Sequence, residues 1–318
     1  MRIAVIDLGT NTFNLLIAEL NAEKQLEFLF RDRRPVFLGR NGIGQNIIAS
    51  DAMLRAWEVL REYRRVSQAY RVEKILAYGT SAIRSAHNAS EFTAEAEKIL
   101  GAQIDVIEGS EEAGLIYMGV RQSIEPTRET FLIVDIGGGS NELIIGNSES
   151  IFWKKSYPIG MARIKSQFEI SDPITPSGID SLNQHFESVL SDFLQQVLPK
   201  YSVNTIIGAE GAFESFLHMA SPMGCMHQPA VSATNVHSHY LPYECFRRVR
   251  DALIPTTLDQ RMKIEGLEPF RAELIVPAVI FVDFLLNRLQ LPRLIISEYS
   301  LKEGAAWKYF FGANHPVM

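Results

Sequence analysis

The chain has 318 residues, of which 47% are hydrophobic and 21% charged, with a formal net charge of −6. That length allows two domains of ordinary size, and the balance excludes a disordered or collagen-like chain. The acidic total argues against a general nucleic-acid binder, so a polyanionic ligand must be met by local positive features.

In chain order, residues 3–17 read as an aliphatic strand, a carboxylate, a glycine turn and a second aliphatic strand. Leu26–Arg34 is a further strand, followed by the turn-rich Leu38–Gly44. Ser50 reads as the N-cap of a helix with Met53, Trp57, Leu60 and Tyr63 at helical spacing. Lys74–Tyr78 is a short buried strand, and Gly79-Thr80-Ser81 turns it into a helix that carries Arg84. Asn88 and Glu91 form a capping pair for a helix through Leu100, Ile104–Ile107 is a strand, and Ser110 caps a helix from Glu111 to Ser123. Glu125-Pro126-Thr127 is a natural crossing, because proline with polar flanks rarely continues a helix. It divides the chain into 1–125 and 126–300.

The second half opens with another strand–turn–strand run over 133–145, then a strand near Ile151–Lys155 and a loop at Pro158–Gly160. Thr175-Pro176 starts a long amphipathic helix whose stripe runs Ile179, Leu182, Phe186, Val189, Leu190, Phe193 and Val197. Thr205–Gly208 is a strand that leads into a Gly208–Gly211 turn and a helix, and residues 220–240 are irregular. Helices near Pro242–Leu253 and Pro269–Leu289, a strand at Arg293–Ser297 and a helix from Leu301 to about Phe311 complete the chain. The apolar stretch Leu274–Leu286 contains Pro277 and Asp283 and is too short to span a bilayer, so it reads as a buried helix. Two cysteines, Cys225 and Cys245, with no secretory h-region, suit a reducing cytoplasm.

Two of these runs are copies. Asp7 falls on Asp135, Gly9 on Gly137, Leu15 on Leu143, and Leu16-Ile17 on Ile144-Ile145. Internal repeats precede any fold assignment, and this one predicts two similar halves facing each other. Glycines let successive N–H groups point into one concavity, so each tip reads as a phosphate cradle. Gly9, Thr10, Asn11 and Thr12 form one tip and Gly137, Gly138, Gly139 and Ser140 the other. Asp7 and Asp135 are poised to hold a divalent cation, Mg²⁺ or Mn²⁺. An isolated glycine turn would carry none of this; the second copy decides.

The paired tips resemble the phosphate motifs of the actin, Hsp70 and sugar-kinase superfamily. Asp7–Phe13, Gly79–Arg84, Gly109–Ala113 with Ile116–Val120, Asp135–Glu142, Gly208–Gly211 and Leu301–Gly304 together resemble the exopolyphosphatase / guanosine pentaphosphate phosphohydrolase (Ppx/GppA) family. The resemblance implies an α/β fold of two ribonuclease H-like domains with a cleft between them, the last helix (301–318) packing back on the first domain. It also implies a short, two-domain, Mg²⁺-dependent cytoplasmic hydrolase, a homodimer without nucleic-acid or membrane partners. Its substrate would be inorganic polyphosphate or guanosine pentaphosphate. The family motif places the catalytic glutamate second in Glu111-Glu112, makes Glu142 a group that orders water or metal, and sets Arg84 on a phosphate. A first-turn carboxylate also favours the helix dipole, which would lower the Glu112 pKa and keep it ionised. Gly208 and Gly211 resemble a nucleotide-contacting turn, a weak signal alone.

Departures from the family pattern are Gly114 in place of arginine, Asn141 in place of threonine, and the stretch Glu298–Lys302. The chain also ends where longer members continue into helical domains, which favours short polyphosphate or a nucleotide. Cys225, His227, His237, His239 and Cys245 match no zinc spacing, and the basic runs Lys154-Lys155 and Arg247–Arg250 read as solvated faces. Other readings are a sugar or acid kinase of the same superfamily and a non-catalytic polyphosphate or alarmone binder.

Overall fold

A computed structural model describes residues 1–225, 228–229, 237–291 and 293–312. Strands β1 (Arg2–Leu8), β2 (Thr12–Leu20) and β3 (Leu26–Pro35) form an antiparallel meander, and β4 (Lys74–Gly79) and β5 (Ile104–Val106) extend it in parallel from β1. The strand order is β3-β2-β1-β4-β5. Helices α1 (Ser50–Ala69), α2 (Ser81–Ser85), α3 (Ala89–Leu100) and α4 (Gly109–Ser123) complete the first half.

The second half repeats that plan. Strands β6 (Phe131–Ile136), β7 (Asn141–Gly146) and β8 (Ile151–Tyr157) are the meander, and β9 (Thr205–Ala209) runs parallel to β6. Short β10 (Gln228–Pro229) and β11 (Ser238–Pro242) lie outside β12 (Arg293–Ser297), giving the order β10-β11-β12-β9-β6-β7-β8. Read from the other edge, β8-β7-β6-β9-β12 reproduces β3-β2-β1-β4-β5. Both sheets therefore have the ribonuclease H-like order, and the fold class is the expected one. The helices of this half are α5 (Met161–Gln167), α6 (Pro176–Val189), α7 (Gly211–Ala220), α8 (Tyr243–Leu253), α9 (Leu258–Arg261), α10 (Ile275–Leu289) and α11 (Leu301–Phe311).

Alternation along the strands explains the layering, since successive side chains leave opposite faces. Ala4, Ile6 and Leu8 of β1 pack outward on α1 and α3, with Met53, Leu60 and Phe92. Ile3 and Val5 face inward, into a shared layer with Ile116 of α4, Ile133 and Ile144 of the second sheet, and Leu301 and Ala305 of α11. Both faces of β1 and β6 are thus buried, which is why each reads as an unbroken apolar run. The outer face of the second sheet meets Phe186, Phe213, Phe246 and Phe281. Between the sheets, α4 and α11 touch backbone to backbone. A Cβ on Gly119 would overlap the Ser300 carbonyl, and one on Gly304 would overlap that of Leu115.

Several element ends differ from the sequence reading. The caps of α1 and α4 are Ala49 and Glu108, with no side-chain cap at either, so neither Ser50 nor Ser110 does that job. Asn88 is the cap residue of α3, but its amide is spent on the Ile48 backbone instead of a capping pair with Glu91. The stripe expected in one long helix is split at Leu190, continuing in a π-turn over Phe193–Val197. A 3₁₀ turn over Pro269–Arg271 precedes α10, which places Pro277 in the first helical turn, where its missing N–H is not needed. Cys225 and Cys245 are joined in a disulfide, which corrects the expectation of two thiols; no free cysteine occurs among the described residues. No helix among them is long and apolar enough to cross a membrane.

Candidate active site

The β1–β2 and β6–β7 tips face one cavity of about 150 Å³ between the halves. Hairpin register places Asp7 opposite Asn14 and Asp135 opposite Glu142. Each tip closes identically: Gly9 N–H donates to the Thr12 carbonyl at 3.1 Å and Gly137 N–H to the Ser140 carbonyl at 3.0 Å.

Most carbonyls behind the tips are taken. Gly137 O accepts from Met161 N (3.0 Å), Gly138 O from Ala162 N (2.9 Å) and Arg163 N (3.2 Å), and Gly139 O from Arg163 Nε (3.2 Å). On the first tip, Thr10 O accepts from Gly39 N, and Asn11 O from Val36 and Phe37 N. Trans peptides set N–H opposite C=O, so the N–H groups of Gly138, Gly139, Ser140 and Asn11 point away from their backing segments and toward the cleft. Helix α5 is the brace for the second tip, and the loop at 36–39 serves the first. The packing leaves no room for a side chain. A Cβ at Gly160 would overlap the Gly138–Gly139 backbone, one at Gly138 would stand 2.5 Å from Asn11 Nδ2, and one at Gly139 would stand 2.5 Å from Ser81 Oγ.

Carboxylates crowd the floor. Asn14 Nδ2 donates to Asp7 at 2.9 Å, and Ser300 Oγ donates to Asp135 at 2.8 Å. Ser140 and Ser156 hydroxyls donate to Glu142 Oε1 at 2.8 and 2.6 Å. Glu112, in the first turn of α4, accepts from Arg84 Nη1 at 3.0 Å. Burial pushes Asp7 up to about 6, against the Asn14 hydrogen bond, and Asp135 up to about 7, helped by Glu112. Glu142 rises to about 7 through burial and the neighbouring Asp135. Glu112 also rises well above the carboxylate range, because burial and Glu142 outweigh Arg84. The dipole argument for a low Glu112 pKa is therefore overturned: a helix terminus contributes about 0.3–1 kcal/mol at an exposed site, and Glu112 is buried beside like charge.

Most predicted positions come together here. Asp7, Gly9–Thr12, Glu112, Asp135, Gly137–Ser140, Glu142 and Gly211 all line the cavity. Glu111 does not, pairing at the surface with Lys308. Arg84 lies off the cavity wall, held by Glu112 and by the Ile107 carbonyl at 2.8 Å. Gly208 is off it too, under the Phe213 ring, which a Cβ would overlap. Gly114 faces the Lys154 Nζ of β8. Lys155 pairs with Asp192, and Arg250 with Asp283. Both His237 and His239 contact Glu298, while His227 lies outside the described residues. Sequence reasoning missed Asn14, Ser156, Arg163 and Ser300. The repeat register could have found Asn14, since it falls on Glu142, and the Ser300-x-x-Glu303 capping box could have flagged Ser300.

A cation is tested by its donors. The charged donors the cavity offers are buried carboxylates, in excess over Arg33, Arg271 and Lys302, and oxygen donors of that kind suit a hard divalent ion such as Mg²⁺. Among the described residues no group of three or more His, Cys, Asp or Glu side chains is placed to hold a metal ion by itself. Mg²⁺ on phosphates commonly takes one or two carboxylates, water and the phosphates themselves.

Two ribonuclease H-like sheets closing on N–H-lined tips and a carboxylate floor define a phosphate-handling protein of the actin and Hsp70 architecture. The particular family follows from comparison: the Ppx/GppA phosphatase family matches residues 16–309, and the chain belongs to it. The chain is 29% identical to exopolyphosphatase 2 of Mycobacterium tuberculosis, with 96% of this chain and 97% of that protein covered. It is 27% identical to the guanosine-5'-triphosphate,3'-diphosphate pyrophosphatase of Vibrio cholerae, covering 96% of this chain and 58% of that longer protein. A crystal structure of an exopolyphosphatase from Cytophaga hutchinsonii shares 32% identity over 98% of both chains, with a TM-score of 0.92. The Aquifex aeolicus family member shares 26% over 99% of both, with a TM-score of 0.79.

Proposed function

We propose that the chain is a Mg²⁺-dependent hydrolase that releases the terminal phosphate of short inorganic polyphosphate. The observation that carries this reading is the convergence of two inward-facing N–H tips on one carboxylate floor. Phosphoryl transfer needs charge stabilised on oxygen and a positioned water. The N–H groups of Gly138, Gly139, Ser140 and Asn11, with the Thr10 and Thr12 hydroxyls, supply the first, while the Ser140 hydroxyl is given to Glu142. Mg²⁺ held by Asp7 or Asp135 would neutralise charge on the phosphate oxygens.

Glu112 supplies the second. Arg84 occupies Oε2, which fixes the carboxylate and leaves Oε1 for water. Its raised pKa makes it a stronger base than a surface glutamate once ionised. Glu142, locked by Ser140 and Ser156, orders the same water or the metal. The boundary near residue 125 makes the two halves the jaws. The cytoplasmic, homodimeric setting rests on the family resemblance.

Glu112→Gln tests the assignment. Phosphate release from tripolyphosphate with Mg²⁺ should fall ~10²–10⁴-fold while the affinity for tripolyphosphate stays close to wild type. Unchanged turnover removes Glu112 from the role. Tripolyphosphate, long polyphosphate and guanosine pentaphosphate compared side by side rank the substrates, and release from the last alone would replace polyphosphate in this reading.

A further inference from the structure

Arg163 stands on α5 behind the second tip, and its guanidinium nitrogens reach separate segments. Nε donates to the Gly139 carbonyl at 3.2 Å, Nη1 to Asn46 Oδ1 at 3.4 Å and Nη2 to Ser85 Oγ at 3.5 Å. Gly139 and Arg163 belong to the second half of the molecule, Asn46 and Ser85 to the first. The two first-half partners are one packed unit, because the Asn46 carbonyl accepts from His87 N at 2.8 Å. Ser85 also follows Arg84, which holds Glu112.

Other cations that join the two halves end on carboxylates, among them Arg33 on Glu214, Arg40 on Glu273 and Lys308 on Glu111. Arg163 meets only neutral oxygens. It is half-buried, and burial lowers its pKa with no anion opposing the shift.

We propose that Arg163 is a positioning residue that couples closure of the cleft to the aim of the second phosphate tip. This rests on the reading of the tips as a phosphate cradle. A charged donor on the Gly139 carbonyl polarises the Gly139–Ser140 peptide, whose N–H faces the cleft, and so strengthens that N–H toward an anion. The guanidinium is planar and its donors keep fixed directions. Nε can remain in line with Gly139 while both Nη groups are seated only when the first half has swung in. Neutral partners make the latch weak enough to release product, and they leave the positive charge unspent for the polyanion. A carboxylate at position 46 or 85 would cancel that field.

The test measures tripolyphosphate binding with Mg²⁺ by calorimetry, phosphate release, and the thermal midpoint, for wild type, Arg163→Met, Arg163→Lys and the Asn46→Ala/Ser85→Ala double variant. Arg163→Met should weaken binding and raise KM ~10- to 100-fold, the range for losing a charged hydrogen bond, with a far smaller change in kcat. Arg163→Lys should restore little, because an ammonium cannot reproduce the fork. The Asn46/Ser85 variant should weaken binding ~3- to 10-fold in the wild-type background and add nothing on Arg163→Met. Thermal midpoints should stay together. Full rescue by lysine, or effects that multiply independently, overturns the coupling. So does Arg163→Met binding as wild type does. Wild-type binding without phosphate release would sink the hydrolase reading while leaving these binding comparisons decisive for Arg163.

Discussion

The β1–β2 and β6–β7 hairpins share a backbone and differ in chemistry. Asp7 faces an amide, Asn14, which donates to it at 2.9 Å; Asp135 faces a second carboxylate, Glu142. One residue earlier on the same strands, Phe13 is fully buried in an apolar core, whereas Asn141 buries a carboxamide whose polar atoms have no protein partner. The shared backbone gives both tips the capacity to hold an anion. In the proposed reaction, acid–base and metal chemistry would fall mainly on the second tip and on Glu112, whose carboxylate feels that of Glu142. On that reading duplication supplies a symmetric clamp, and the side chains opposite each aspartate, Asn14 and Glu142, would set which jaw reacts.

Making the second tip a copy of the first is the severest way to break that contrast. Glu142→Asn should reduce phosphate release ~10²-fold or more, measured as initial rate with tripolyphosphate. The same variant should melt higher than wild type above pH 7 without metal, since a buried carboxylate is gone. A full-rate Glu142→Asn enzyme would mean that the second tip is only a cradle.

The next test titrates both floors together. Asp7, Asp135 and Glu142 all have folded-state pKa values above their unfolded ones, near 6, 7 and 7. A raised carboxylate binds its proton more tightly in the native state. The stability it contributes is therefore complete below about pH 4 and lost as pH rises through about 7. Metal-free protein should lose stability on the order of a few kcal/mol across that window. Mg²⁺ should raise the melting temperature at pH 8 and leave it nearly unchanged at pH 5. A melting temperature indifferent to Mg²⁺ at pH 8 would remove the cation from the floor.

How far the sequence disclosed this arrangement depends on the range of each signal. The ribonuclease H-like form of the halves came from the family resemblance, but strand periodicity is local and the Asp7/Asp135 repeat shows in two short runs, so both hairpins and the two similar halves were legible. Helix α5 was not, because Met161–Gln167 is short and its reason for existing is the Gly137–Gly139 carbonyls more than twenty residues away. Gly208 looked like a ligand turn because its need for space comes from the Phe213 ring, which spacing alone does not reveal. The Glu112 pKa went the wrong way for the same reason: the dipole is read from position in a helix, whereas burial beside Glu142 is a tertiary fact. Arg84 was assigned a phosphate from its motif and is found on Glu112.

Adding acid to the first tip sharpens the comparison from the other side. Asn14→Asp removes the donor to Asp7 and sets a second carboxylate against it, with Arg33 Nε retained as a donor at 3.2 Å from Asn14 Oδ1. The loss of a satisfied buried hydrogen bond costs about 1–3 kcal/mol, and like charge adds to it. Denaturant unfolding at pH 8 should show that loss, and it should shrink below pH 6 as one of the pair protonates. Equal stability at both pH values would mean that Asp7 does not depend on its amide partner.

The smallest effect separates the tips at their roots. Asn141 is fully buried, yet neither Oδ1 nor Nδ2 has a protein partner, and it lies in β7 beside Ser140 at the edge of the outer core. Phe13 holds the matching place in β2, where its ring is fully buried and its side chain has no polar atom to satisfy. Burying an unpaired amide costs roughly 1–3 kcal/mol, less where an ordered water answers it. Asn141→Val removes both orphan atoms at little change in volume and suits a strand. It should stabilise the protein by about 1 kcal/mol, or about 2 °C in melting temperature for a chain of this size, without changing tripolyphosphate turnover, because the side chain points to the face opposite Ser140 and Glu142. A stabilised variant that loses turnover would instead place the Asn141 carboxamide among the groups that set the second tip, and the division between cradle and root would have to be redrawn.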